Sequence, residues 1–184
     1  MSTPGIFFLV VGPSGAGKDT LIDGARAALA AGGRHIFATR VITRPADAGG
    51  EQHTAVSEAQ FTADEQAGRF LITWPAHGLR YGLPASLADE LRAGRHVIAN
   101  GSRAAIAELA ARVPRLVLLH VAAERAALAD RIRGRGREEG EQVTQRLGRE
   151  VNLTVPHGVQ VIDIRNNGTV GEGVEKLLSA LDGA

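Results

Sequence analysis

The sequence contains no cysteine. A disulfide framework, a thiolate metal site and a cysteine nucleophile are therefore excluded. Lysine is nearly absent as well: of 21 basic residues, Lys18 and Lys176 are the lysines and the other 19 are arginines. Arginine's planar fork suits bidentate binding of phosphate or carboxylate, although a GC-rich genome raises the arginine count equally well. No charge sign dominates. The 21 basic residues face 20 acidic ones, for a net charge of +1. A general nucleic-acid binder carries a broad positive excess, so no nucleic-acid partner is expected. Long apolar runs are missing too. Ile6–Val11 spans six residues, whereas a membrane-crossing helix needs about 20. No basic segment precedes that run as a signal peptide requires. The expectation is a soluble, cytoplasmic protein without a membrane partner.

What is present fits one domain. The chain has 184 residues, 44% hydrophobic and 22% charged, within the ordinary globular range. Short β-rich runs alternate with stretches of helical period. Strands are predicted at Ile6–Val11, Phe70–Trp74, Val97–Ala99, Leu116–Val121 and Val159–Ile164. Helices are predicted at Lys18–Ala31, Ser57–Ala67 (capped by Ser57), Pro84–Ala93, Ala123–Ile132, Glu141–Leu153 and Val170–Leu181. This alternation predicts an α/β fold with a mainly parallel sheet flanked by helices. Two stretches break the rhythm: the irregular region from Thr39 to Tyr81, and Gly134–Gly140. Irregular pieces of such length in a compact domain are usually functional.

The first strand runs into Gly12-Pro13-Ser14-Gly15-Ala16-Gly17-Lys18-Asp19-Thr20, and a helix follows. This is G-x-x-x-x-G-K between a strand and a helix, the context that gives the motif its meaning. Glycines let backbone N–H groups converge on phosphate oxygens, the helix N-terminus adds its positive end, and Lys18 adds a point charge. A nucleoside triphosphate such as ATP is the expected ligand. The residue after the lysine is normally Ser or Thr, whose hydroxyl ligates magnesium. Here it is Asp19. Thr20 cannot substitute, because one helical step turns a side chain by about 100°. Asp19 is therefore the candidate ligand for Mg2+, with helix capping as its plainer role. Ser14 reads as a loop former, since no base accompanies it as a nucleophile would need.

Arg131, Arg133, Arg135 and Arg137 alternate with other residues in RIRGRGREEG, and Arg146 follows. Phosphoryl transfer needs cations around the equatorial oxygens, and mobile arginines supply them when a lid closes. A solvated loop paired with Glu138 and Glu139 is the plainer reading. Beside a phosphate loop, the pattern points to a small-molecule kinase. No N-K-x-D-type guanine loop is visible, which weakens a GTPase reading.

At this point the motifs carry a resemblance. GPSGAGKD, ITRPADAGGE, VSEAQF, GRFLITW, HGLRYG, GRHVIANGSRAAI and RIRGRGREE fall in order along nearly the whole chain. Together they resemble guanylate-kinase-type nucleoside monophosphate kinases. The resemblance implies a P-loop NTPase fold with a core at 5–38 and 95–184, an acceptor-binding insert at about 39–94 and a lid at about 131–146. Arg44 matches the family's phosphate-binding arginine and Tyr81 its tyrosine, His53 lies near another tyrosine position, and a second arginine falls on Asp47. The guanine-reading glutamate, however, falls on Ile72, a second base-reading acid on Ser102, and a small polar contact on Arg40. A site built to hydrogen-bond its substrate discriminates through those bonds, so the acceptor is expected to carry phosphate but no base. The segments ITRPADAGGE, HTAVSE, AHGLRYG, ANGSRAA and RGRE are similar to the ribose 1,5-bisphosphate phosphokinases of phosphonate catabolism. That similarity implies ATP-dependent conversion of ribose 1,5-bisphosphate to 5-phospho-α-D-ribose 1-diphosphate with release of ADP. Arg40 and Arg103 become candidates for the added negative charge.

A second departure is coupled to the first. An acidic strand-end position of the family falls on Asn100 while Asp19 enters the phosphate loop, as though negative charge near the metal had moved from strand to loop. His77, in a turn beside the presumed acceptor pocket, is a weaker candidate; His53, His77 and His157 form no metal-ligand spacing. Trp74 is expected in the core or pocket wall. Asn166 follows the last strand where the family approaches adenine, which makes it a candidate nucleotide contact. Two other readings stay open: a guanylate or other nucleoside monophosphate kinase, and a non-catalytic interaction module, against which the retained Lys18, Arg131 and Arg137 argue. Monomer and homodimer are equally open.

Overall fold

The computed structural model describes residues 3–45, 52–124 and 153–184. The described chain runs through β1 (Phe7–Val11), α1 (Lys18–Leu29), β2 (His35–Phe37), β3 (Val41–Ile42), β4 (Thr54–Ala55), α2 (Glu58–Gln66) and β5 (Phe70–Ala76). It continues through β6 (Leu79–Pro84), α3 (Leu87–Arg92), β7 (His96–Asn100), α4 (Ile106–Arg112), β8 (Leu116–Ala122), β9 (Gln160–Arg165) and α5 (Val170–Asp182). Five strands form a sheet in the order β2-β7-β1-β8-β9, every pair parallel.

β1 is buried on both faces, as its unbroken apolar run requires. Phe7, Leu9 and Val11 pack on one side with Leu87, Leu91, Ile106 and Leu109 of α3 and α4. Phe8 and Val10 pack on the other with Leu21, Ile22 and Ala25 of α1 and Leu177 and Leu181 of α5. Each of the valine, leucine, isoleucine and phenylalanine side chains among them, removed from water, contributes about 1.5–3 kcal/mol. α1 and α5 touch through a missing side chain: a Cβ on Gly24 would lie 2.4 Å from Val174 Cγ2. α5 starts from a capping box, in which Thr169 Oγ1 accepts from the Glu172 amide and Glu172 Oε2 from the Thr169 amide.

The expected α/β fold with a parallel sheet is present, and the predicted strands sit where the apolar runs placed them. The described residues between Thr39 and Tyr81 carry more regular structure than the sequence indicates. They contribute most of a second sheet, in the order β4-β3-β6-β5. β5 and β6 form a hairpin closed by His77-Gly78, both with positive φ (53° and 72°). Such a turn matches the twist of the strands, and histidine tolerates the left-handed region better than most residues. α2 packs on this hairpin: Phe61 stacks on Phe70 at 4.7 Å, and the Arg80 guanidinium lies 4.4 Å from the Phe61 ring and bonds Glu65.

One helix boundary is corrected. Pro84 does not open a helix; it ends β6 opposite Phe70, and α3 starts three residues later behind Ser86. The Ala85 amide still donates to Arg69 O at 2.8 Å, so strand-type pairing extends past the proline. The helices predicted at Ala123–Ile132 and Glu141–Leu153 lie outside the described residues except at Ala123, Glu124 and Leu153, none of which is helical. Among the described residues, no helix is long and apolar enough to cross a membrane.

Candidate active site

The loop between β1 and α1 takes its shape from its glycines. Gly12, at φ 149°, lies so close to β8 that a Cβ would sit 2.1 Å from the Val121 carbonyl oxygen. Gly15 and Gly17 have φ of 83° and 91°, conformations that favour residues without Cβ. Lys18 Nζ donates to the carbonyls of Gly12 (2.9 Å) and Pro13 (3.1 Å), which anchors the ammonium across the mouth of the loop. Behind the loop, Asn166 is 5% exposed and its Nδ2 donates to Ala16 O at 2.7 Å. The residue chosen from the sequence for the nucleotide thus holds the back of the phosphate loop, at the end of β9.

A cavity of about 450 Å3 opens at this loop. Gly12, Pro13, Ser14, Lys18 and Asp19 line one side; Arg40, Trp74, Ala76, His77, Tyr81, Asn100, Gly101, Ser102 and Arg103 complete it. Of the residues chosen from the sequence, it brings together Gly12, Pro13, Ser14, Lys18 and Asp19 with Arg40, His77, Tyr81, Ser102 and Arg103. Gly15, Ala16 and Gly17 shape the loop without lining the cavity, and Thr20 is exposed on α1.

Asp19 is the acidic side chain among the described lining residues, and Asn100 Nδ2 donates to its Oδ1 at 2.5 Å. A carboxylate at the end of β7 would repel Asp19 at this distance, whereas an amide fixes it. The two departures noted in the sequence, 81 positions apart, are in contact here. The pair also fits magnesium, which is commonly bound through one or two carboxylates plus water and substrate phosphates. No cluster of three acidic or histidine ligands occurs among the described residues, so a cation here would rely on phosphate oxygens as well.

Across the cavity, Arg40 lies over Tyr81, its Cζ 5.0 Å from the ring centroid. Tyr81 in turn stacks on Trp74, 5.6 Å away and 9° from parallel. Burial pulls the Arg40 guanidinium down to about 10, while the Asp19 carboxylate and Tyr81 work in the opposite direction. A cation that water solvates poorly gains most from an arriving phosphate. Arg103 and Ser102 enter from the loop after β7, where Ser102 Oγ accepts from the Ala104 amide at 3.3 Å. Ile72 is 1% exposed, in the core.

Arg44 and His53 do not line this cavity. They bond each other: Arg44 Nη2 lies 3.1 Å from His53 Nδ1, and His53 Nε2 lies 3.1 Å from Arg44 O. The second contact makes Nε2 the proton-bearing nitrogen and leaves Nδ1 to accept. Arg131, Arg135, Arg137 and Arg146, like Asp47, lie outside the described residues. Sequence reasoning did not select Ala76 or Gly101, whose membership follows from sheet packing and carries no signal of residue type.

A phosphate loop leaving the central strand of a parallel sheet, with a cationic cavity before it and a second sheet alongside, defines a P-loop kinase fold of the guanylate-kinase type. The guanylate kinase of Anaplasma phagocytophilum shares this fold, with a TM-score of 0.63 and 15% identity, over 100% of this chain and 87% of that one. No family model matches the chain. The chain is 58% identical over 177 residues to the bifunctional ribose 1,5-bisphosphokinase-thymidine phosphorylase of Azorhizobium caulinodans, covering 96% of this chain and 25% of that protein. It is 45% identical over 179 residues to the ribose 1,5-bisphosphate phosphokinase PhnN of Rhizobium etli, covering 97% of this chain and 90% of that protein. The chain belongs to the ribose 1,5-bisphosphate phosphokinase PhnN family. It spans 25–30% of the length of the bifunctional relatives it matches in Azorhizobium caulinodans and two Cupriavidus species.

Proposed function

We propose that the protein transfers the γ-phosphoryl group of ATP to the 1-phosphate of ribose 1,5-bisphosphate, giving 5-phospho-α-D-ribose 1-diphosphate and ADP, as a cytoplasmic step of phosphonate catabolism. The observation that carries this reading is the lining of the cavity, where the phosphate loop and Lys18 are joined by Arg40 and Arg103. The purine-reading position of the resemblance is a buried isoleucine, Ile72. The name of the relative in Rhizobium etli agrees with it.

In this reading the backbone N–H groups of residues 14–17 (Pro13 has none) and Lys18 hold the nucleotide phosphates. Asp19, fixed by Asn100, holds Mg2+, which when bound neutralises phosphate charge. Arg40 and Arg103 grip the acceptor phosphates, with His77, Tyr81 and Ser102 around the sugar. An oxygen of the 1-phosphate attacks the γ-phosphorus as the bond to the β–γ bridging oxygen breaks, and ADP leaves with that electron pair. The attacking oxygen is already anionic, so no proton has to move and no general base is required. Catalysis rests on in-line positioning and on cations around the transferred group. Arg131, Arg135, Arg137 and Arg146 are proposed to supply those cations. An ADP-release assay with Mg-ATP against ribose 1,5-bisphosphate, GMP, AMP and gluconate tests the reading. Turnover on the bisphosphate supports it, and turnover on GMP alone replaces it with a nucleotide kinase.

A further inference from the structure

We infer that Trp74 sets the acceptor specificity of this site, by closing the apolar side of the cavity against a nucleobase and by holding Tyr81 and Arg40 where a sugar phosphate binds. The inference rests on the proposed function and goes beyond it in naming the residue that excludes purines.

Alternation along β5 puts Ile72 and Trp74 on the same face. Ile72 stays in the core, while Trp74, 4% exposed, reaches the cavity. Trp74 is paired with Tyr81 across the hairpin, and the near-parallel rings pass the contact on to the Arg40 guanidinium. Indole, phenol and guanidinium thus form one continuous stack between the hairpin and the cavity. A close-packed interior resists displacement of such a stack.

The wall this stack presents is aromatic, extended by Ala76. A guanine edge needs acceptors for its N–H groups, and buried groups left unpaired reject a ligand strongly. The carboxylate among the described lining residues is Asp19, and it is engaged by Asn100. Trp74 Nε1 is buried without a hydrogen-bond partner. Buried donors of this kind are rare, and a ligand oxygen brought against the wall would complete this one.

Trp74 is the single tryptophan of the chain, so the unaltered protein reports on its own wall. Titration with ribose 1,5-bisphosphate, without nucleotide, is expected to change its emission saturably, and GMP is expected to leave it flat. Trp74→Leu is expected to raise KM for the bisphosphate by about tenfold or more with kcat changed far less, and to admit GMP as a competitive inhibitor or acceptor. Trp74→Phe, which keeps a stacking face, is expected to recover most of the KM loss. Turnover of the bisphosphate by the unaltered protein, combined with flat emission, overturns the role of Trp74 alone; so does a Trp74→Leu protein that keeps its KM and still excludes GMP. Absence of bisphosphate turnover in the unaltered protein overturns the underlying reading instead.

Discussion

Replacing Asn166 with alanine separates two roles for that residue. Its amide is 5% exposed, lies against Gly173 of α5 and donates to Ala16 O at 2.7 Å, tying β9 to a loop 150 positions away. Ala16 is fully buried, so its carbonyl cannot recover the lost bond from bulk water. Leaving one buried acceptor unsatisfied costs about 1–3 kcal/mol. For a chain of this size, Tm falls by about 2–4 °C per kcal/mol, so Asn166→Ala should lower it by roughly 2–12 °C. The loop amides would also lose their fixed backing, and KM for the triphosphate should rise by about tenfold, equivalent to about 1.4 kcal/mol. Asn166→Asp, which loses the donor and adds a charge facing a carbonyl, should do at least as much harm. The assay is a thermal melt combined with initial rates on ATP and on GTP. A buttress predicts equal losses on both nucleotides. An unchanged Tm, or a shift in the preference between ATP and GTP, would remove the buttress and return Asn166 to the nucleobase.

Asp19→Ala should weaken magnesium binding by about 10–100-fold, read as a higher metal concentration at half-maximal rate, while Asn100→Asp, which sets a second carboxylate beside the first, should lower that concentration. Arg40→Ala should raise KM for the acceptor by about 10–150-fold, the equivalent of one charge-assisted bond of about 1.5–3 kcal/mol, and leave KM for ATP nearly unchanged. Gly12→Ala would drive a Cβ to 2.1 Å from Val121 O at φ 149°, so triphosphate binding should be lost before the fold is. Acid should destabilise the protein through His96 and His35. Burial first, then the nearby Arg34, holds both imidazoles below the ordinary value, and His96 Nδ1 accepts from the Ile6 amide at 2.9 Å. The unfolded chain therefore takes up protons first. Stability is complete above about pH 6.5 and falls as pH drops through the folded values. The urea midpoint should decrease from pH 7.5 to 5.5, and less so in His96→Gln.

The phosphate loop was legible because its signal is local: an apolar strand, glycines at fixed spacing, a lysine and a helix. The parallel sheet followed from apolar runs that only doubly covered strands carry. The second sheet was hidden for physical reasons. β3 and β4 have two residues each, and Thr54–Ala55 is exposed, so neither shows a period. Pro75 inside β5 and histidine in place of the usual asparagine at the hairpin turn mask the β5–β6 pair. Pro84 carries a helix-start signal that the Phe70 pairing overrides. Asp19 and Asn100 were legible as a coupled departure from family motifs, but their bond is not, since nothing local links residues 81 positions apart. Trp74 was legible as core or pocket wall. That it carries Tyr81 and Arg40 with it depends on the hairpin register.

In the proposed function this cavity phosphorylates a sugar phosphate at an existing phosphate and ignores purines. Phosphorus NMR of a reaction containing the protein, Mg-ATP, ribose 1,5-bisphosphate and GMP in equal amounts tests it most directly. Coupled diphosphate resonances of 5-phospho-α-D-ribose 1-diphosphate should grow in step with ADP, with the GMP signal constant. Loss of GMP to GDP while the bisphosphate signals persist would contradict it.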